Sequence, residues 1–140
     1  MAVHIKILTR NDHHTVLIKQ LLEKSSDKIQ LTYLTITNNT AGAQPVSMKN
    51  IEEVAELAHK YNVPLFFDAC RFAENAWFIK KYERGYTDTE IKKIVKEMFS
   101  HVDGFTISFK KDGLANIGGG LFIRDRSIFL FICSISRSKK

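Results

Sequence analysis

The sequence predicts an α/β fold built on a mainly parallel sheet with flanking helices. Two observations carry this. Short runs such as Leu65–Asp68 and Gly104–Ser108 are nearly continuous in apolar residues, the pattern of strands buried on both faces. Segments of helical periodicity, Ser47–Tyr61 and Thr89–His101, separate them, and a strand, crossover helix and strand make a parallel, right-handed unit.

The elements follow in order. Val3–Leu8 alternates apolar and polar residues, a short strand. Asn11-Asp12 offers a helix N-cap, and Val16, Leu17, Leu21 and Leu22 space as one helical face beyond it. His13 and His14 are adjacent, so a helix does not turn them toward one metal, and a surface position is the expectation. Leu31–Ile36 is β-branched and aromatic and reads as a strand. It runs into an amide-rich loop, residues 37–45, which is either a plain turn cluster or a strand-end loop that orients a ligand. Ser47 opens the next helix, with Ile51, Val54, Ala55, Leu57 and Ala58 as its apolar stripe and Asn62 as a left-handed cap. Pro64 leads into the buried strand that ends at Asp68. Phe72–Tyr82 is helix-compatible, and Thr87-Asp88-Thr89-Glu90 matches a capping box for a helix whose Ile91, Ile94, Val95, Met98 and Phe99 face the core. Asn116–Ile123 begins with glycines and turns apolar, a loop feeding a further strand. Its glycines do not follow G-x-G-x-x-G and open no helix, so a dinucleotide fingerprint is unsupported.

Composition narrows the class. The 140 residues are 44% hydrophobic with two Pro and seven Gly, which suits one globular domain rather than a disordered chain. No apolar run reaches the ~20 residues that span a bilayer, and the first residues lack the pattern of a signal peptide, so the expectation is a cytoplasmic protein with no membrane partner. Cys70 and Cys133 fit no C-x-x-C pattern and imply no disulfide framework. The formal charge is +6, but residues 124–140 hold five basic residues and one acid, leaving only +2 for the rest. Basicity weighted to a tail argues against a nucleic-acid surface.

Chemistry concentrates at two strand ends. Asp68 ends one strand, where ligands of open α/β sheets bind. A carboxylate there is costly to desolvate without a partner. It either caps the following helix, pairs with Arg71, or serves a site. Lys110-Lys111 lie just beyond the strand ending at Ser108, so both groups can reach one edge of one sheet. An unprotonated lysine forms a Schiff base with an aldehyde, and burial or a neighbouring cation such as Lys110 favours that form. Pyridoxal phosphate chemistry requires such a lysine and a carboxylate on the pyridinium nitrogen.

Three segments carry a family resemblance: ITNNTAGAQPVSM (Ile36 to Met48), FFDACRFAENAWFIK (Phe66 to Lys80) and EIKKIVKEMFSHVDGFTISFKKDGLANIGG (Glu90 to Gly119). They resemble the β-eliminating lyases, tryptophanase and tyrosine phenol-lyase, near-continuously from about Leu31 to Ile123. Arg71-Phe72-Ala73-Glu74-Asn75 is nearer the tryptophanase branch. The resemblance implies part of the large domain of a pyridoxal-phosphate fold type I (aspartate-aminotransferase-like) enzyme. It implies a carbon–carbon lyase of amino-acid metabolism that eliminates indole or phenol from an aromatic amino acid, leaving pyruvate and ammonia. By position, Lys111 matches the Schiff-base lysine and Asp68 the carboxylate on the ring nitrogen. Asn39 and Arg71 match residues near the cofactor's phenolic oxygen, Ser108 matches a phosphate contact, and Lys110 is the cationic neighbour within the cofactor-binding set. Asn116 matches a position whose backbone carbonyl helps hold potassium. Homo-oligomers are the family's assembly.

The chain also departs from the family pattern. Phe109 stands where the family has a small residue, crowding the phosphate end. Residues 1–126 are expected to form the partial cofactor-binding domain, and 127–140 an anomalous tail whose run Ile128-Phe-Leu-Phe-Ile-Cys is apolar and β-prone. The family's N-terminal phosphate loop, ring-stacking aromatic and carboxylate-binding arginine find no counterpart, so the expected unit is an incomplete large domain, inactive as a lyase alone. The alternative is a non-catalytic subunit acting through a partner chain.

Overall fold

Five strands, hydrogen-bonded in simple sequence order, make one sheet: β1 (Val3–Ile7), β2 (Ile29–Thr35), β3 (Leu65–Asp68), β4 (Gly104–Ser108) and β5 (Gly119–Ile123). The structure is a computed structural model that describes residues 3–7 and 13–15 as backbone and residues 16–38 and 42–130 in full. The first four strands are parallel, and β5 returns antiparallel against β4 as the edge. The connecting helices are α1 (His13–Ser25), α2 (Met48–Lys60), and the pair α3 (Phe72–Tyr82) and α4 (Ile91–Ser100). Because each right-handed crossover steps the same way along the sheet, all four helices lie on one face. That face carries Leu34, Ile36, Leu65 and Phe67, packed with Ile18 and Leu22 of α1, Ile51 and Val54 of α2, Ala76 and Ile79 of α3, and Ile94 and Met98 of α4. Phe99 sits at the centre of an aromatic cluster, meeting Phe67, Phe72 and Phe105 edge-on at 5.7, 6.0 and 4.6 Å between centroids. Such pairs add ~0.5–1.5 kcal/mol each beyond their burial.

The parallel strands run in register. Thr35, Asp68 and Thr106 are mutual neighbours, and Tyr33, Phe66 and Gly104 form the next row. Side chains alternate along a strand, so these two rows share the face opposite the helices. Phe66 lies against Gly104 so closely that a Cβ there would meet its ring at 2.6 Å, which excludes any larger residue. Gly119 is required for a similar reason, since its Cβ would sit 2.8 Å from the Ile107 carbonyl across the β4–β5 pair.

Several expectations are met closely. Ser47 caps α2 by accepting from the Asn50 backbone N–H at 3.1 Å, Asn62 adopts φ 55° after the helix, and α3 spans the expected residues. Others are corrected. On α1, Ile18 and Leu22 are buried, whereas Val16, Leu17 and Leu21 are about half exposed. Apolar residues lie around most of that helix, so contact with α2 rather than periodicity selects the buried pair. The capping box at Thr87 is not used: α4 begins at Ile91 with Glu90 as its N-cap residue and no side-chain cap. The Thr87 and Thr89 carbonyls instead accept from the Lys80 ammonium at 2.8 and 2.7 Å, which holds that turn to α3. Residues 126–130, at the start of the tail, are helical, with Phe129 and Leu130 exposed. The expected cap at Asn11-Asp12 and residues 131–140 lie outside the described residues, as do the side chains of His13 and His14. No described helix is long and apolar enough to cross a membrane.

A carboxylate from another helix also caps α2. Glu83 accepts from the Met48 N–H at 3.1 and 3.2 Å. Burial pushes its carboxyl above the usual range, and Glu52 and Glu97 push it further, against the downward pull of the Met48 hydrogen bond. A carboxyl raised in the folded state contributes stability at low pH that is lost as pH rises through its folded value. Glu83→Gln keeps an acceptor for Met48 and removes the charge. Denaturant unfolding should therefore show the variant gaining on the wild type as pH rises above the ordinary Glu range of about 4–5, with the two nearest to one another below it.

Candidate active site

The parallel register brings the ends of β2, β3 and β4 to one edge. Asp68 closes β3 there, and its backbone carbonyl accepts from the Ile36 N–H at 3.2 Å, which carries β2 one residue past its last ladder pair. The carboxylate is half-buried. Among the described residues it makes no salt bridge and caps no helix, so both structural roles open to it in the sequence are taken by others. Arg71 pairs with Glu74 at 3.6 Å. The α3 N-terminus is capped by Asp112, whose Oδ2 accepts from the Ala73 and Glu74 N–H groups at 2.7 and 3.2 Å.

Cys70 joins the strand ends. Its Sγ accepts from the Ser108 N–H at 3.3 Å, and the neighbouring Asp68 acts on its thiol. Burial pushes the thiol up, and Asp68 adds to this, while the Ser108 N–H and the Lys111 charge oppose it. Asp68 at the end of β3 and Lys111 in the turn after β4 thus both act on this one thiol. Lys111 is half-buried in the turn after β4, whereas Lys110 is exposed. Tyr33, on the row below, and Thr106, on Asp68's own row, bond through their hydroxyls, and burial raises the Tyr33 phenol, with Asp68 contributing. Thr35 Oγ1, on the same row as Asp68, is buried and has no hydrogen-bond partner among the described residues.

The loop after β2 is tied from beneath. Asn75 of α3 is fully buried; its Oδ1 accepts from Val46 N–H at 2.8 Å and Thr37 hydroxyl at 3.1 Å, and its Nδ2 donates to the Val46 carbonyl at 2.9 Å. Asn38 and Gln44 bridge above it. Asn39 lies outside the described residues, in the loop that this bridge closes. Asn116 is exposed in the turn leading to β5, where Phe109 N–H donates to Gly118 and Phe109 carbonyl accepts from Ala115. The structure thus gathers Asp68, Arg71, Ser108 and Lys111 at one edge. Sequence pattern assigns no site role to Tyr33, Cys70 or Thr106, and none directly to Asp112. Only Asp112 had a visible clue, an acid directly after the lysine pair and three residues beyond Phe109.

The mostly parallel sheet with its flanking helices is the α/β architecture of the large domain of pyridoxal-phosphate fold type I enzymes, and a family match agrees with it. The chain belongs to the β-eliminating lyase family, whose profile matches residues 3–137. It is similar to tryptophanase of Salinibacter ruber, 55% identical over 108 residues that are 77% of this chain and 23% of that protein. A probable β-eliminating lyase of Trichomonas vaginalis is 57% identical over 107 residues, 76% of this chain and 23% of the relative. Tyrosine phenol-lyase of Clostridium tetani is 51% identical over 111 residues, 79% and 24% respectively. The chain spans about a quarter of the length of these curated relatives.

Two measurements probe the site's construction. Asn75→Ala strands the Val46 N–H and carbonyl in a buried position, so denaturant unfolding should show a loss of about 3 kcal/mol, given ~1–3 kcal/mol per orphaned buried group. In a Cys133→Ser background, Cys70 should alkylate slowly with iodoacetamide at mildly alkaline pH, because the thiolate is the reactive form. Asp68→Asn removes the charge that disfavours that thiolate and should speed the reaction several-fold; an unchanged rate would separate the two side chains.

Proposed function

We propose that this chain provides the pyridoxal-phosphate-binding edge of a carbon–carbon lyase that acts by β-elimination on an aromatic amino acid. The observation that supports this most is that Asp68, unclaimed by Arg71 or by α3, shares its surroundings with Lys111 through Cys70. The residues fit the group. A half-buried carboxylate ends β3, a half-buried lysine lies in the turn after the adjacent β4, and among the described residues the buried Thr35 hydroxyl on the carboxylate's row has no hydrogen-bond partner. When bound, pyridoxal phosphate supplies an electron sink for a carbanion at the substrate's α-carbon.

In this reading Lys111 would hold the cofactor through its aldehyde and would carry the α-proton. Asp68 would keep the ring nitrogen protonated, with the Cys70 thiol as a neighbour of the carboxylate. Arg71 and, by its position in the sequence, Asn39 would serve the phenolic oxygen, with Arg71 giving up its contact to Glu74, a pair of the kind worth ~0–1 kcal/mol. Ser108 and Lys110 serve the phosphate side, and the Asn116 carbonyl serves a monovalent cation such as potassium. The relatives named tryptophanase and tyrosine phenol-lyase support an aromatic amino acid as the substrate class. A cytoplasmic, homo-oligomeric protein completes the proposal. A second reading, a subunit that works through a partner chain, draws on the exposed Val16, Leu17 and Leu21 of α1.

Incubation with pyridoxal phosphate followed by borohydride reduction and peptide mapping tests the first reading. The label should concentrate on the peptide bearing Lys111 and fall to the level of surface lysines in Lys111→Ala. Labelling spread evenly over the surface lysines of the wild type would reject it.

A further inference from the structure

Lys110 and Lys111 are chemically identical neighbours, yet one is exposed and the other half-buried. The anchor of their turn is the next residue. Asp112 Oδ2 accepts from the Ala73 and Glu74 N–H groups at 2.7 and 3.2 Å, and its own N–H points to the Cys70 carbonyl at 3.5 Å. Arg71, the N-cap residue of α3, offers no side-chain cap of its own, so the helix takes its cap from 39 residues further along the chain. A carboxylate at a helix N-terminus gains from both the unpaired N–H groups and the helix dipole. The turn is closed on its other side by Leu114 N–H donating to the Lys111 carbonyl at 2.9 Å, with Leu114 at φ 53°. On the strand side it is held by Ser108 N–H donating to Cys70 Sγ.

We propose that Asp112 is a positioning residue that decides which of the two lysines meets the cofactor. By docking on the α3 N-terminus it fixes the rotation of the turn, so that Lys111 is turned inward toward Asp68 and Lys110 outward. Freed of that dock, the turn can rotate by one residue's step and offer Lys110 instead. This rests on the reading of Lys111 as the cofactor amine.

The test is the ratio of reduced pyridoxal-phosphate label on Lys111 to that on Lys110, read by peptide mapping. It is measured in the full chain for wild type, Asp112→Ala and Asp112→Asn, alongside hydrogen exchange of the Ala73 and Glu74 amides. Wild type should favour Lys111. Asp112→Ala should lower the ratio by about fivefold, the factor equivalent to losing an N-cap. Asp112→Asn, which keeps an acceptor oxygen without the charge, should fall between. A purely structural role would lower stability and total label without moving the ratio, and that result in Asp112→Ala would overturn the proposal. Where the alanine variant does not fold, the asparagine variant decides: lost protection at Ala73 and Glu74 with an unchanged ratio also overturns it. A wild type that labels both lysines equally would instead bring down the reading of Lys111 itself, and this inference with it.

Discussion

The site depends on one constraint, the in-register parallel pairing of β2, β3 and β4. The row of Thr35, Asp68 and Thr106 brings three strand ends level at one edge. Three right-handed crossovers keep the helices together on the other face, so the core of Leu34, Leu65 and Phe67 can close without using that row. A carboxylate at the end of a buried strand is then left half-desolvated, and desolvation is costly unless polar groups meet it. Cys70 supplies one such group, and the Lys111 charge stands within reach of the same thiol.

Side chains that reach across the sequence hold this edge together. Asp112 caps α3, Glu83 joins Ser47 in capping α2, and Asn75 fastens Thr37 and Val46 beneath the loop that follows β2. Each spans about 30 or more residues of chain, and each satisfies backbone or buried groups that otherwise lose hydrogen bonds to water on folding. They couple the packing of the helices to the position of the strand-end loops. α3 has the central place: its first turn receives Asp112, its second carries Asn75, and its last turn holds Lys80, whose ammonium binds the Thr87–Thr89 turn. The aromatic cluster around Phe99 then fixes α4 against β3, β4 and the start of α3.

Much of this was legible in the sequence because it is local. The α2 cap, the left-handed Asn62, the extent of α3 and the strands ending at Asp68 and Ser108 follow from side-chain volume, hydrogen-bonding capacity and period over a few residues. Asp68 and Lys111 stood out for the same reason, as charges directly beyond apolar runs. Local pattern failed where several local solutions were nearly equal. The α1 helix has apolar residues around most of its girth, so Val16, Leu17 and Leu21 looked as buriable as Ile18 and Leu22. Thr87 and Glu90 had the spacing of a capping box, yet the threonine carbonyls were committed to Lys80 from the preceding helix.

By itself the sequence determined the α/β class, the order of the elements, and which strand ends carry a carboxylate and an amine, since burial and backbone hydrogen bonding act along short stretches. Only the tertiary structure decided how those charges are used. It gave the α3 N-terminus to Asp112 and Arg71 to Glu74, and so left Asp68 with Cys70 rather than in a structural pair. The physical reason is competition among distant groups for the same unpaired donors, which is settled by the register of the sheet and the placement of α3 and not by any spacing readable along the chain.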